Sequence, residues 1–330
     1  MNLITDVPGL KVGHATDLEL GSGVTAILFD HAATVSAAVL GGAPGGLETT
    51  ILEPEMGIAG IDAVVLAGGS VFGLDAAAGV RAALREAGRG LDIRGALVPL
   101  VSGAILFDLL NGGNKAWGRY SPYRELGHAA ALAAAGGAFA LGTVGAGTGA
   151  TTATVKGGLG SASGVTRAGH TVGAIVAVNA VGAPTIGNGP WFWAAPFEQG
   201  AEFGGRGWPA AMPAGVLAPR LKGGPGTSTT IALVATDAAL TKPQAKRLAI
   251  MANDGLARAI LPAHAPMDGD TVFAASTGRR ALADDYALTE LGHAATIVLA
   301  RAVARGVFEA TALPCPGAQA AWRERFGGAG

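Results

Sequence analysis

Cysteine is almost absent from this chain, because Cys315 is the only one among 330 residues. A single thiol excludes an internal disulfide and a cysteine-based metal site. Histidines are also few, and they do not pair at the spacing of metal ligands: His14, His31, His128, His170, His264 and His293. The sequence therefore predicts a protein that holds neither a metal ion nor another cofactor.

Charged residues are also scarce. Charged residues make up 14% of the chain and the formal net charge is −1, so no basic surface is available to neutralise many phosphates. This composition excludes a nucleic acid as the partner.

Long hydrophobic runs are missing as well, although the mean hydropathy is +0.41. The excess comes largely from alanine, and 54 glycines interrupt the apolar runs. A membrane-spanning helix needs about 18 uninterrupted apolar residues, so we expect no membrane partner. Residues 1–12 lack the basic region and apolar segment of a signal peptide, and we expect a cytoplasmic protein.

Hydrophobic residues, at 50% of the chain, supply ample core. Short strands of Val, Ile, Leu and Ala bounded by Gly alternate with Ala-rich helical stretches, which indicates a layered α/β or α+β fold. The expected strands are residues 23–29, 63–67, 171–179 and 229–235, and the expected helices are residues 69–87, 241–260 and 285–308.

Residues 185–221 break this pattern, since they are rich in Gly, Pro and aromatic residues. A long irregular stretch inside a compact domain is uncommon unless it is functional or mobile. Two interpretations are open: a surface flap packed by its own aromatics, or a wall of a substrate pocket to which Trp191 contributes.

A glycine-rich loop runs directly into a strongly β-prone strand at residues 223–237. A hydroxyl residue at such a junction, here Thr229, is the arrangement of N-terminal nucleophile hydrolases. Its hydroxyl attacks the preceding carbonyl, and the amine released by cleavage, with a reference pKa of about 7.7–8.0, becomes the general base for the same residue. Taken alone, the segment also fits an ordinary turn followed by a Thr-rich strand.

Six segments resemble, in order, motifs of the L-aminopeptidase/D-esterase (DmpA-type) family, which includes the endo-type nylon-oligomer hydrolases. They are ITDVPGLKVGH at residues 4–14, GGAPG at 41–45 with Glu48 and Thr49, LAGGSVFGLD at 66–75, VAVNAVG at 176–182, TTI at 229–231 and MDGDT at 267–271. Their order and spacing hold over nearly the whole chain, and the joint match is much more specific than any single motif.

The resemblance implies a single domain with an αββα sandwich similar to the N-terminal nucleophile (Ntn) hydrolase layering, usually in a homotetramer. It places the nucleophile on Thr229. Cleavage after Ser228 would leave fragments 1–228 and 229–330. Relatives commonly carry Asn or Gly before the scissile bond, so Ser228 is a departure, and it leaves Ser228 or Thr227 as alternative nucleophiles.

The same resemblance assigns the neighbourhood of the nucleophile. Asp268 and Asp270 match the acidic pair of the nylon-hydrolase branch, where a carboxylate would hold the new ammonium; alone, they fit a plain Asp-Gly-Asp turn. Asn179 ends an expected strand with its amide available to stabilise a tetrahedral oxyanion. Lys156 would keep the Thr229 amine neutral, unless it is a solvated loop lysine.

Three further residues are candidate substrate contacts. Phe107 stands where aminopeptidase-type relatives have Tyr, so a phenolic hydroxyl is missing from that position. Gly69 and Ser70 are expected to open a helix, and its first backbone N–H groups either face the site or are capped.

The sequence thus predicts a self-processed threonine hydrolase of amide bonds, acting on short peptides, amides and esters or on 6-aminohexanoate oligomers. Two alternatives remain. One is an acyltransferase of the glutamate N-acetyltransferase type, although the run characteristic of that class is missing. The other is an unprocessed binding or scaffold protein.

Overall fold

The structure is a computed structural model that describes residues 1–223 and 228–327. The described residues form eleven β-strands and five α-helices. The strands are β1 (Leu10–Asp17), β2 (Ser22–Val39), β3 (Gly46–Leu47), β4 (Ile61–Ala67), β5 (Leu91–Ile93), β6 (Ala96–Val98), β7 (Val101–Ile105), β8 (Leu159–Val165), β9 (Thr171–Asn179), β10 (Thr229–Ala238) and β11 (Thr271–Arg280). The helices are α1 (Ala76–Glu86), α2 (Tyr123–Leu132), α3 (Lys242–Ala259), α4 (Asp285–Phe308) and α5 (Trp322–Phe326).

Strand β2 is long enough to belong to two sheets. Its first half pairs with β1 and β4, its second half pairs with β11, and its pairing with β4 shifts register between Leu28 and Ala33. The strand order is β3-β7-β4-β2-β11-β10-β9-β8, with β1 added beside β2. The two halves of this path fold over each other as the two inner layers of the protein.

Three hydrophobic cores define four layers. The central core joins residues of both sheets, such as Ile27 and Leu66 of the first with Leu233 and Phe273 of the second. The other cores lie outside the sheets, one against α1 and α2 and one against α3 and α4. The predicted αββα sandwich is therefore confirmed.

Helix α4 is long and apolar enough to cross a membrane by length and composition alone. Inside the protein, 72% of its most apolar window is buried, and it packs on α3 and on the second sheet. Its composition is accounted for by a place in the core.

Sequence patterns located most elements, and one prediction was wrong. Strand β9 and helix α4 have the expected bounds, whereas residues 69–87 do not form one helix. A 3-10 helix at Ser70–Asp75 precedes α1. Gly69 and Ser70 have φ values of +86° and +53°, a left-handed backbone that an α-helix does not admit.

Candidate active site

Three strand ends meet at one edge of the second sheet. Strand β10 begins at Thr229, its antiparallel neighbour β9 ends at Asn179, and its parallel neighbour β11 begins at Thr271. The residues just before β11 and the last residue of β9 therefore lie beside Thr229. Thr229 is directly opposite Asn179 in the register, and Ser228 pairs with Asp268.

The hydroxyl of Thr229 lies against the bond that it is predicted to break. Its side chain is buried, and its Oγ1 donates a short hydrogen bond to the carbonyl oxygen of Ser228. The predicted nucleophile and the carbonyl that it is predicted to attack are thus in contact. Thr227, the other alternative nucleophile, lies outside the described residues.

Asp270 ties the start of β10 to the loop before β11. Its Oδ1 accepts the Thr230 N–H at 2.7 Å, and its Oδ2 accepts the His264 N–H at 3.0 Å. The Nδ1 atom of His264 lies 2.9 Å from the same oxygen. This carboxyl is therefore held from two elements, and its orientation beside the nucleophile is fixed.

Asp268 carries a strongly perturbed carboxyl. It is buried, and its Oδ1 accepts the Gly269 N–H at 3.0 Å. Burial, followed by the negative charge of Asp270, raises the pKa of Asp268 well above its usual range, while Gly269 and Lys222 oppose the shift. The raised pKa favours the protonated, neutral form of Asp268.

Glycines allow these segments to approach. A Cβ on Gly269 would lie 2.7 Å from Thr229 Oγ1 and 3.0 Å from the Ala43 carbonyl oxygen. A Cβ on Gly41 would lie 2.3 Å from the Asp270 nitrogen. Real Cβ atoms essentially never come so close. Close packing around the predicted nucleophile therefore explains why glycine occupies positions 41 and 269.

Asn179 joins three segments. Its Nδ2 donates to the Phe107 carbonyl oxygen at 2.9 Å, and its Oδ1 accepts the Thr151 N–H at 3.0 Å and the Lys222 Nζ at 2.7 Å. The amide therefore has partners within the protein, because the strand end faces two loops instead of solvent, and its role in stabilising an oxyanion stays a prediction. Phe107 contributes its backbone carbonyl here.

Lys156 is buried, so the alternative of a solvated loop lysine was wrong. Its Nζ donates to the carbonyl oxygens of Gly147 at 3.1 Å and Gly157 at 2.9 Å. Burial lowers its pKa to about 7, and Asp108 opposes the shift. The ammonium is therefore poised to lose its proton close to neutral pH.

Sequence reasoning missed Asp108, although it follows Phe107 directly. The carboxyl is fully buried, and it accepts the Ser22 hydroxyl at 2.6 Å and the Gly69 N–H at 2.7 Å. Burial raises its pKa, which these hydrogen bonds and Lys115 and Lys156 counteract. The residue fixes the loop whose carbonyl holds Asn179.

The remaining predicted substrate contacts, Gly69, Ser70 and Trp191, each have a partner within the protein. The N–H of Gly69 is taken by Asp108, and the N–H of Ser70 donates to the Leu106 carbonyl oxygen at 2.9 Å. Trp191 packs over Gly189 in the irregular stretch. A role for these residues in substrate binding therefore stays a prediction.

The aromatic stretch at residues 185–221 is partly built into the core. Phe192 stacks on Trp322 with ring centroids 5.5 Å apart, and it meets Phe203 edge-on at the same distance. Packing by its own aromatics, the simpler of the two interpretations, thus accounts for Phe192 and Phe203. Within residues 1–223 and 228–327, no group of three potential metal ligands occurs.

Comparisons with known proteins identify the family. The family model described as peptidase family S58 matches residues 2–320. An uncharacterized aminopeptidase of Mycobacterium tuberculosis is 41% identical, with 94% of each chain covered. A 6-aminohexanoate-oligomer endohydrolase of Kocuria sp. is 31% identical, with 82% of this chain and 74% of that protein covered.

The fold has solved counterparts. The L-aminopeptidase D-Ala-esterase/amidase of Ochrobactrum anthropi, described as a variant among the Ntn hydrolase fold, superposes with a TM-score of 0.73 at 23% identity. The match covers 98% of this chain and 92% of that one. The match to the family model over nearly the whole chain decides between the interpretations, in favour of a hydrolase and against a scaffold. The chain belongs to peptidase family S58, and it is a hydrolase that acts on amide bonds.

Proposed function

We propose that the chain cleaves itself between Ser228 and Thr229 and then hydrolyses amide bonds with Thr229 as its N-terminal nucleophile. The observation that supports this most is the contact between the Thr229 hydroxyl and the Ser228 carbonyl oxygen. The contact lies in a buried site beside two aspartates and Asn179.

Maturation follows from this geometry. The Thr229 oxygen attacks the carbonyl carbon of Ser228, the C–N bond breaks as the nitrogen takes a proton, and an ester remains. Water then cleaves the ester, which leaves a carboxylate on Ser228 and a free amine on Thr229. The amine accepts the hydroxyl proton in each later turnover.

The neighbours of Thr229 supply the other parts of the mechanism. The carboxyls of Asp268 and Asp270 hold the new ammonium, and because the raised pKa of Asp268 favours its neutral form, the ammonium can still lose a proton. The Asn179 amide stabilises the oxyanion as the substrate carbonyl becomes tetrahedral. While it is protonated, Lys156 adds positive potential that favours the neutral, basic form of the amine.

The substrate class is tested by assaying the purified protein on an amino-acid p-nitroanilide and on 6-aminohexanoate oligomers. We expect free amine from at least one of them. Cleavage of the anilide alone would exclude the nylon-oligomer activity, and cleavage of the oligomers alone would exclude the aminopeptidase activity. No cleavage of either, by protein whose mass shows complete processing, would contradict the proposed function.

A Gly269→Ala variant is expected to mature and hydrolyse more slowly. The new methyl group would meet Thr229 Oγ1 at 2.7 Å, and displacing a nucleophile by about 1 Å can cost about a hundredfold in rate. The intact mass of the chain followed over time measures maturation.

The matched control for that variant is Gly57→Ala, where an added Cβ meets nothing within 4 Å. This control should process as the unmodified chain does. Equal processing rates for the two variants would show that Gly269 does not hold the nucleophile in place.

A further inference from the structure

A polar pocket is lined by Lys222, which contacts Asn179, and no step of the mechanism above uses it. It has a volume of about 460 Å³, and its walls come from the loop after β7, the segment before β8, Lys222 and the segment before α5. The polar side chains that line it are Asn111, Thr151, Thr152, Lys222 and Gln319.

Lys222 supplies the charge of this pocket. Among the described residues that line it, Lys222 is the only one with a charged side chain. Its Nζ donates to Asn179 Oδ1 at 2.7 Å and, more weakly, to the Thr151 carbonyl oxygen at 3.4 Å. An ammonium has three hydrogens to donate, so these two neutral acceptors leave it able to bind a further partner.

The cation has no close anionic partner. In residues 1–223 and 228–327, none of the ion pairs includes Lys222. Asp108 and Asp268 act on it only at longer range, and Lys156 is a like charge nearby. A mostly buried cation without a paired anion is costly, and an anionic group entering the pocket would relieve that cost.

The pocket lies within reach of the scissile bond. Asn179, which Lys222 contacts, is directly opposite Thr229 across two antiparallel strands, where Cβ atoms lie about 5 Å apart. Two extended residues span roughly 7 Å. A substrate group that lies one or two residues or monomer units beyond the reacting carbonyl can therefore reach Lys222 Nζ.

We propose that this pocket binds a carboxylate of the substrate and that Lys222 is the residue that selects carboxylate-ended peptides or oligomers over their amide-capped forms. The inference rests on the proposed function, because it assumes that Thr229 attacks a substrate held at this edge of the sheet. Lys222 determines specificity in this scheme and takes no part in the chemical step.

The test compares a dipeptide that has a free C-terminal carboxylate with the same dipeptide as its C-terminal amide. In Lys222→Met, KM for the carboxylate form should rise about tenfold or more, since a charge-assisted hydrogen bond is lost. Because Lys222 also contacts Asn179, any change in kcat should be the same for the carboxylate form and the amide form, and KM for the amide should change less than about twofold. Lys222→Arg should restore most of the affinity.

The pH profile separates a charge effect from a packing effect. Burial lowers the pKa of Lys222 to about 7, so the cation is lost as the pH rises through 7. In the unmodified enzyme, KM for the carboxylate form should therefore rise above pH 7, relative to KM for the amide. Asp108, Asp268 and Lys156 interact with Lys222 and remain in Lys222→Met. The part of the difference between the two profiles that Lys222 causes should therefore disappear in that variant.

Two further variants serve as a control and as an independent test of the pocket. Lys246→Met removes a lysine that is paired with Glu53 at 2.9 Å on α3, and it should leave both substrates unaffected. Ala318→Asp places a carboxylate on the pocket wall. If Lys222→Met does not fold, Ala318→Asp should still raise KM for the carboxylate form alone.

The outcomes are distinguishable. Equal changes in KM for the two dipeptides in Lys222→Met or in Ala318→Asp would overturn the pocket assignment and leave the proposed function intact. If the unmodified protein cleaves neither dipeptide, calorimetry still tests the pocket. Binding of the carboxylate form that is lost in Lys222→Met would then support the assignment, and binding that persists would overturn it.

Discussion

A Thr229→Ala variant is expected to persist as a single chain of 32.4 kDa, whereas the unmodified chain is expected to split after Ser228. The variant lacks the hydroxyl that contacts the Ser228 carbonyl oxygen, so neither the ester nor the free amine can form. Hydrolysis should fall by at least about a thousandfold, as when other hydroxyl nucleophiles are removed. Intact mass and a turnover assay on the same sample measure both effects.

Thr230→Val is the matched control for this experiment. In the described part of the chain the Thr230 hydroxyl is buried without a hydrogen-bond partner, so its replacement by a methyl group should leave folding and cleavage intact. Cleavage of Thr229→Ala at the same bond would refute Thr229 as the nucleophile. N-terminal sequencing of the smaller fragment would then show whether Ser228 or Thr227 is used.

The strand edges of the site were predictable because they depend on local patterns. A run of apolar residues ending at Asn179 and a Thr-rich run starting at Thr229 each indicate a strand, and the structure places both strands as expected. Their adjacency, in contrast, was implied by the resemblance to a family. No pattern in the chain shows that Thr229 lies opposite Asn179.

The supporting contacts were not predictable because they join distant loops. Asp108, His264 and Lys222 have no periodic or motif signal, and each is explained only by the segment it meets. Lys222 meets Asn179 across 43 positions of the chain. His264 adopts a positive φ of 59°, which places both its N–H and its ring against Asp270.

Burial is the physical reason that the titratable groups of the site differ from their sequence interpretation. A solvated loop lysine was the alternative interpretation of Lys156, yet the residue is 1% exposed. Desolvation then lowers the pKa of Lys156 and raises the pKa of Asp268. Both shifts favour the neutral form of the group, which lowers the free-energy cost of burying it.

An Asn179→Asp variant is expected to lose hydrolysis by about a hundredfold to a thousandfold in kcat, the usual effect of removing one oxyanion donor. The substitution keeps an oxygen that accepts from Thr151 and Lys222, but it replaces the Nδ2 donor. An oxygen would then face the Phe107 carbonyl oxygen, now 2.9 Å from Nδ2. Steady-state kinetics on processed enzyme should show a change in kcat that exceeds the change in KM.

The same chemical change far from the site provides the control. Asn253 on α3 is buried, and its Nδ2 donates to the Ala249 carbonyl oxygen at 2.8 Å. Asn253→Asp should therefore lower thermal stability and leave kcat unchanged. A folded and processed Asn179→Asp variant whose kcat stays within about fivefold would contradict this role, because removing an oxyanion donor costs much more. The Asn179 amide would then hold the loops together, and backbone N–H groups alone would bind the oxyanion.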